Sequence, residues 1–350
     1  MIHAFSRRAV IGGLGAVALC RSAALAAETP PPVIRFAGVN GGYAKPFGTG
    51  LIGIVQHFGY IENELKPNNV RIEWQFPAGT GPAINEAIAA GGVDFAAYGD
   101  LPQIIGRSAG LPTRIVSGEG SSGYMFLAVR SGVKARTIAD LKGLRVSVQR
   151  GTILQLLLDR LLAQHGLSES DVQLYDLHTE DQVSSLAAGN IDASLGSTGL
   201  LALRDQGVVR IIASVIGGGA GGAGSLLVTD DFAQRYPATT QAVIRAVVKA
   251  AHWSSLPENR STFLDVSALG GIPRNALAEE LPGALGAYVN PLIDDRLVDD
   301  FKNATAFASQ HAIIRTPIDV PGWFDRSFLN AALDELRLQH FWRPRPAVGR

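Results

Sequence analysis

Short apolar segments and helix-like segments alternate along most of the chain, and this alternation constrains the fold more than any other feature of the sequence. Residues 33–39 are typical of a buried strand, and Asn40-Gly41-Gly42 interrupts that strand before a helix predicted over residues 46–60. The same order of strand, turn and helix recurs to about Val215. Strands that alternate with helices indicate parallel sheets with helices on their faces. The expected fold class is therefore α/β.

Small residues occupy the turns between the predicted strands and helices. Free backbone N–H groups and the helix dipole make such a turn a possible anion site, and Thr80, Thr152, Ser197 and Thr198 add hydroxyl donors. For any one turn, a helix cap is the simpler interpretation. Several such turns in two lobes favour a ligand pocket at the carboxyl ends of the strands. The turns are Gly41-Gly42, Gly79-Thr80-Gly81, Gly99-Asp100, Gly151-Thr152 and Gly196-Ser197-Thr198.

The first 27 residues are typical of a secretory signal rather than of a folded segment. Ser6-Arg7-Arg8 precedes the apolar residues 9–19, and Ala24-Leu25-Ala26 forms an A-x-A end. The paired arginines favour the twin-arginine route. A membrane anchor is disfavoured because a span needs ~20 apolar residues. We therefore predict residues 1–27 as a signal cleaved near Ala26, and a periplasmic mature protein.

Removal of that segment changes the charge and the thiol content of the chain. It takes away three of the 31 basic residues and no acid, which leaves 28 basic against 31 acidic residues and no basic face for nucleic acid. It also removes Cys20, the only cysteine, so no disulfide, thiolate metal site or cysteine nucleophile is expected.

The mature segment shows no motif of an enzyme or a cofactor site. Two G-x-G-x-x-G matches, at residues 118–123 and 219–224, do not open helices as dinucleotide binding requires. No two histidines stand at metal-ligand spacing, so no metal or cofactor is predicted. The aspartates at 294, 295, 299 and 300 are expected to form a solvated helical face. The glycine-rich segment 217–224 is interpreted as a surface loop, with a mobile flap or crossover near the cleft as the alternative.

Several longer motifs resemble the alkanesulfonate, taurine and nitrate group of periplasmic solute-binding proteins. These motifs are Glu73-Trp74-Gln75-Phe76-Pro77-Ala78-Gly79, Ala89-Ala90-Gly91-Gly92-Val93-Asp94-Phe95, Gly99-Asp100-Leu101-Pro102, Ile138-Ala139-Asp140-Leu141-Lys142-Gly143, Arg145-Val146-Ser147-Val148-Gln149 and Ala188-Gly189-Asn190-Ile191-Asp192-Ala193. The resemblance implies a type II periplasmic binding protein, in which two Rossmann-like lobes are joined by two crossovers with the ligand cleft between them. Lobe 1 would hold residues 28–122 and 225–350, and lobe 2 residues 123–224.

The resemblance also implies the positions that contact the ligand. They are Asn40, Gly41, Tyr43, Gly79, Thr80, Asp100, Ser121, Gly151, Thr152 and Ser197. Family members often carry tryptophans at two positions that are here Ser194 and Ser197. Two small polar residues in place of two large rings predict a roomier, more polar cleft, open to a larger or aromatic sulfonate.

The predicted function is capture of a small anionic, sulfonate-like solute by lobe closure, for delivery to the membrane permease of an ABC importer. The resemblance implies no enzymatic activity and no cofactor, and we expect a monomer that binds no nucleic acid. One alternative is a periplasmic enzyme on the same scaffold, with Asp100 and Glu119 as base and acid. A binding protein for nitrate, a carboxylate or a pyrimidine is the other.

Overall fold

The computed structural model describes residues 28–40, 46–121, 123–216 and 223–346. The predicted signal and most of the glycine-rich segment lie outside the described residues. The described chain forms ten strands and fourteen α-helices, so the α/β prediction is confirmed. The strands are β1 (Val33–Gly38), β2 (Arg71–Gln75), β3 (Phe95–Gly99), β4 (Thr113–Ser121), β5 (Tyr124–Arg130), β6 (Arg145–Val148), β7 (Gln173–Asp176), β8 (Ala193–Gly196), β9 (Val209–Ile216) and β10 (Ala223–Thr229).

Helices alternate with these strands and then continue alone to the end of the described chain. They are α1 (Gly50–His57), α2 (Tyr60–Leu65), α3 (Thr80–Ala89), α4 (Asp100–Ser108), α5 (Ile153–Gln164), α6 (Thr179–Ala188), α7 (Thr198–Asp205), α8 (Asp230–Arg235), α9 (Pro237–Ser255), α10 (Arg260–Ser267), α11 (Arg274–Glu280), α12 (Asp295–Gln310), α13 (Val320–Trp323) and α14 (Ser327–Leu336). No helix in these described ranges is both long enough and apolar enough to span a membrane.

The strands form two five-stranded sheets with matching topology. The first sheet has the order β2-β1-β3-β10-β4, and the second has the order β7-β6-β8-β5-β9. The first three strands in each of these orders are parallel to one another. The fourth strand, β10 or β5, is antiparallel to both of its neighbours. The chain passes between the sheets twice, from β4 to β5 and from β9 to β10. We call the two sheets with their packed helices the first and second lobes.

Each lobe has its own hydrophobic core. The first core includes Phe36, Phe95 and the long helix α9, and it extends to Trp342 near the end of the described chain. The second core is built from apolar residues of β5, β6, β8 and α5, such as Leu127, Val146 and Leu158. The helices after β10 therefore belong to the first lobe by packing, while the residue limits of the two lobes stay a prediction.

The same arginine–aspartate clamp occurs in both lobes. On β1, the Arg35 backbone N–H and Nε donate to one Asp94 oxygen at 2.8 and 3.1 Å, and Nη2 donates to the other at 2.7 Å. On β6, Arg145 makes the corresponding three bonds to Asp192 at 3.1, 3.0 and 2.8 Å. The guanidinium of Arg145 also holds the pKa of Asp192 below its usual range. The first clamp ties β1 to the residue that precedes β3, its neighbour in the sheet. The second clamp ties β6 to the residue that precedes β8 in the same way.

The predicted solvated face at residues 294–300 is wrong for two of its four aspartates. Asp294 is buried, caps α12 by accepting from the Leu297 N–H, and accepts from Arg345 at 2.8 Å. Asp300 is fully buried and pairs with Arg296 at 3.1 Å. Capping and ion pairing offset the cost of burying these charges, which a helical charge pattern alone does not reveal.

Candidate functional site

A cavity of about 330 Å³ lies between the two lobes. Its wall includes the cap or first turn of six helices, three from each lobe: α1 at Thr49, α3 at Thr80, α4 at Gly99, α5 at Thr152, α6 at Thr179 and α7 at Ser197. A helix N-terminus carries backbone N–H groups without an intrahelical partner and partial positive charge. At α4 and α5 one of these N–H groups is already bound, by Asp100 and by Thr152 respectively. The arrangement can therefore bind an acidic group of a small molecule.

Four of the predicted contact residues line this cavity: Asn40, Thr80, Thr152 and Ser197. Gly41 and Tyr43 lie outside the described residues. Ser121 is the last residue of β4, and its side chain is not described. Gly79, Asp100 and Gly151 are not lining residues, although each lies next to one. The role of all ten as ligand contacts stays a prediction.

Asp100 supports the site from behind the cavity wall. Its side chain is fully buried, and its carboxylate accepts from the Leu101 N–H at 2.7 Å and from the Ala223 N–H at 3.3 Å. The second of these bonds ties the start of α4 to the start of β10. A carboxylate held in this way presents no base to the cavity, so the pairing of Asp100 with Glu119 as base and acid has no geometric support.

The Thr152 hydroxyl is engaged within its own turn. It donates to the Gln149 carbonyl at 2.7 Å and accepts from the Leu154 N–H at 3.3 Å, which makes Thr152 the N-cap of α5. Thr152 therefore both caps α5 and lines the cavity. Thr152 can act on a ligand by holding the N-terminus of α5 in place, since its single proton is already donated.

The Ser197 hydroxyl differs from that of Thr152. Ser197 precedes α7 without capping it, and its hydroxyl has no hydrogen bond to another described residue. It is therefore a hydroxyl that can donate to a ligand. Ser194, by contrast, is fully buried in β8 and hydrogen-bonds Ser147 and Gln182 at 3.0 Å each. Of the two serines predicted to widen the cleft, Ser197 lines the cavity and Ser194 does not.

Gln149 connects the two lobes at the cavity, and sequence reasoning did not assign it to the site. Its side-chain amide, at the end of β6, donates to the Thr80 hydroxyl at 3.2 Å and to the Gly79 carbonyl at 3.3 Å. The backbones of the two lobes also approach closely, since a Cβ on Gly99 would lie 3.2 Å from the Ile153 Cβ. The small residues of these turns allow the lobes to meet around the cavity.

Two further contacts join the lobes beside the cavity. Arg204 of α7 donates to Glu279 of α11 at 2.9 Å. Ala276, also on α11, packs with Phe126 and Leu201 of the second lobe in a small buried cluster. The α11 segment therefore contacts the second lobe directly, although its core packing belongs to the first.

The charged residues of the described cavity lining are all glutamates: Glu119 on β4, Glu180 on α6 and Glu280 on α11. Burial raises the pKa of Glu119 to about 7. Burial also raises the pKa of Glu280 to about 7, against a smaller opposing effect of a backbone hydrogen bond from Thr198. Much of the remaining wall is apolar and includes Leu51, Met125, Ile153, Phe263, Leu277 and Leu281.

Comparison with known proteins finds a matching family model and similar proteins that are named for binding sulfonates. A family model described as NMT1/THI5 like matches residues 65–258, more than half of the chain. A protein of Escherichia coli (strain K12) named for the binding of aliphatic sulfonates is 34% identical over 174 residues, which are 49% of this chain and 50% of that protein. A Bacillus subtilis (strain 168) protein of the same name is 25% identical over 290 residues, or 81% and 84% of the two chains.

A solved structure extends the likeness to nearly the whole chain. It is that of a periplasmic sulfonate-binding protein of a sulfonate ABC transporter from Methylobacillus flagellatus KT. It is 28% identical, has a TM-score of 0.78, and is matched over 92% of this chain and 100% of its own. The likeness confirms the two-lobed binding-protein fold. The stronger of the two sequence matches, by contrast, spans only half the length of its relative.

Proposed function

The chain belongs to the NMT1/THI5-like family, and from that premise we propose that it is the solute-binding component of an ABC importer for a sulfonate-bearing molecule. The convergence of six helix N-termini on one cavity between two lobes carries this proposal. A sulfonate has three acceptor oxygens and a fixed charge, which suits backbone N–H groups and the free Ser197 hydroxyl. The relatives described above are named as sulfonate-binding proteins.

Lobe closure supplies the mechanism of capture. The Gln149–Thr80 bond and the α11 contacts join the lobes only when they meet around the cavity. A ligand that touches both lobes gains its full set of contacts in that state alone, so binding shifts the population toward closure. No step of this cycle requires bond making, so the proposed role is transport without catalysis.

The proposed location and partner follow from the same role. An export signal over residues 1–27 would direct the protein to the periplasm. There the closed form with its bound ligand would dock on a membrane permease. Replacement of Arg7 and Arg8 by lysine should retain the full chain in the cytoplasm if export uses the twin-arginine route. Fractionation of cells that express either form tests this, and unchanged export would assign the general route instead.

A ligand screen tests the central proposal. Sulfonates, carboxylates, nitrate and nitrogen heterocycles are compared by thermal shift, because a ligand that prefers the folded state raises its stability. Sulfonates should raise the melting temperature most. Ser197→Ala should weaken binding of the selected sulfonate, while Ser184→Ala, on the exposed side of α6, should not. A shift confined to carboxylates, nitrate or heterocycles contradicts the proposal, and chemical conversion of the recovered ligand would favour the enzyme.

A further inference from the structure

A pair of carboxyl groups lies in the second lobe, outside the lining of the cavity. Asp159 is on α5 and is only 7% exposed, and Glu169 begins the short 3-10 turn Glu169–Asp171 that follows this helix. A hydrogen bond joins the two carboxyl groups. Because an ionised carboxylate offers acceptor oxygens only, this bond requires a proton on one of the two groups. Lobe closure as described above makes no use of that proton.

The surroundings of Asp159 oppose ionisation of its carboxyl group. One of its oxygens, Oδ1, is buried and has no hydrogen-bond partner within the described part of the chain. Burial is the largest cause that raises the pKa of Asp159 to about 7, and the charge and hydrogen bond of Glu169 act in the same direction. Arg150 has a smaller, opposing effect, and these two residues are the charged groups of the described chain that act on Asp159. Without the proton, the two adjacent carboxylates repel each other.

Glu169 connects this pair to the turn between β6 and α5. One of its oxygens accepts from Nη2 of Arg150 at 2.7 Å, and the other accepts from Nε2 of Gln155 at 2.9 Å. The Oε1 atom of Gln155 in turn accepts from the Gly151 N–H at 2.8 Å. Gly151 has a φ of +69°, a conformation that glycine adopts at little cost. The backbone of the turn is therefore held by a side chain that Glu169 itself holds.

The same turn forms part of the cavity wall. Gln149 and Thr152, which flank it, both line the cavity, and the Thr152 hydroxyl caps α5. A displacement of Glu169 therefore reaches the ligand site through a continuous chain of contacts.

We propose that Asp159 and Glu169 share one proton that positions the turn between β6 and α5 for the ligand, and that loss of this proton weakens ligand binding. This inference concerns the regulation of the cavity and rests on the proposed function. With the proton in place, Glu169 stays against α5 and keeps its bonds to Arg150 and Gln155. When the proton is lost, repulsion displaces Glu169, whose side chain is 30% exposed, and the turn loses its support. Both carboxyl residues are positioning residues, since neither lines the cavity.

Infrared spectroscopy of the ligand-free protein tests for the proton. The spectrum of the parent protein minus that of Asp159→Asn should contain the C=O stretch of one protonated carboxyl group at pH 6 and should lack it at pH 9. Asparagine keeps the size of the side chain and cannot ionise, so the variant is expected to fold, and thermal unfolding checks this. Glu169→Gln repeats the test from the other side of the pair. If the band is missing at pH 6 with both variants, the pair holds no proton and the inference is wrong.

Binding of hexane-1-sulfonate between pH 6 and pH 9 tests the effect on the cavity. The sulfonate stays ionised over this range, so a change in affinity comes from the protein. The affinity should fall about fivefold more in the parent protein than in Asp159→Asn, at the low end of typical coupling between two sites. Glu119 and Glu280 of the cavity are present in both proteins, so the comparison removes their contribution. Asp334→Asn, at an exposed position on α14, is the matched control and should behave as the parent does.

Amide hydrogen exchange of the ligand-free protein separates this inference from the function on which it rests. Protection of residues 150–154, corrected for the intrinsic exchange rate, should decrease from pH 6 to pH 9 in the parent and stay constant in Asp159→Asn. Equal exchange profiles in the two proteins overturn the inference and leave the proposed function untouched. The expected exchange without binding of hexane-1-sulfonate at either pH supports the shared proton and contradicts the sulfonate assignment. The expected exchange with equal affinity profiles confines the pair to the stability of the lobe and overturns its role in binding.

Discussion

The amide of Gln149 in the second lobe donates a hydrogen bond to the Thr80 hydroxyl in the first lobe, 3.2 Å away. Thr80 begins α3 with a φ of +50°, a conformation that a threonine rarely adopts and that costs on the order of 1 kcal/mol or more. The Gln149 Nε2 atom also lies 3.1 Å from Nδ1 of His178, which immediately precedes α6. One side chain thus links the starts of α3 and α6 across the cavity.

Replacement of Gln149 by leucine should favour the open arrangement of the lobes. A hydrogen bond contributes about 1 kcal/mol, so ligand affinity should fall about fivefold. Titration calorimetry with the selected sulfonate measures this change, and small-angle scattering measures the mean separation of the lobes. Gln173→Leu, on the exposed edge strand β7, is the control. An affinity equal to that of the parent protein would mean that the bond does not favour closure.

Replacement of Thr152 by valine should weaken ligand binding and destabilise the second lobe together. Loss of an N-cap hydroxyl costs about 1 kcal/mol, and the first turn of α5 lines the cavity. Thr152→Ser keeps the hydroxyl and should retain both properties. Denaturant unfolding gives the stability and calorimetry gives the affinity. If the valine variant binds a verified ligand as tightly as the parent does, Thr152 is a cap with no part in the site.

Asparagine in place of Asp94 or Asp192 should destabilise the corresponding lobe. Each change leaves an arginine without its carboxylate at a position where the arginine side chain is about one-third exposed, at 34% for Arg35 and 33% for Arg145. Partial exposure of the arginine reduces the cost of the broken Arg35–Asp94 pair to about 2 kcal/mol, and loss of the Arg145–Asp192 pair should act in the same direction. Glu73→Gln, which breaks an exposed pair with Arg71, should change stability by less than about 0.5 kcal/mol. Urea unfolding distinguishes these outcomes.

The stability of the protein should depend on pH through Glu119. Its pKa is about 7 in the folded protein, against an ordinary value of 4.5, so between these values the folded state holds a proton that the unfolded state has lost. The free energy of unfolding therefore falls as the pH rises from 4.5 to about 7, by up to about 3 kcal/mol, and this contribution is constant above that range.

Glu119→Gln tests that dependence, because the variant cannot ionise at this position. Its free energy of unfolding should fall less than that of the parent protein between pH 5 and pH 7. The difference between the two profiles isolates Glu119 from the other titrating groups. Parallel profiles would show that the carboxylate is already solvated in the folded protein.

Local chemistry explains why some of the site was predictable. Thr80, Thr152 and Ser197 are positioned by strand ends and helix starts that lie within a few residues of each of them. Small and hydroxyl-bearing residues mark such turns in any sequence. The starts of α1 at Thr49 and of α6 at Thr179 also face the cavity. The turns before them carry a weaker sequence pattern, and they were not predicted as part of the site.

The sequence by itself determined the α/β class, the family and the position of most turns, because these depend on periodicity and on contacts between near neighbours in the chain. Only the tertiary structure decided which side chains share the cavity. Glu280 meets Thr198 across 82 positions of sequence because α11 packs against the second lobe, and Glu119 gains its surroundings from Gly224 on a strand that returns through the second crossover. Burial and charge at such positions depend on how distant segments pack, and no local pattern records that packing.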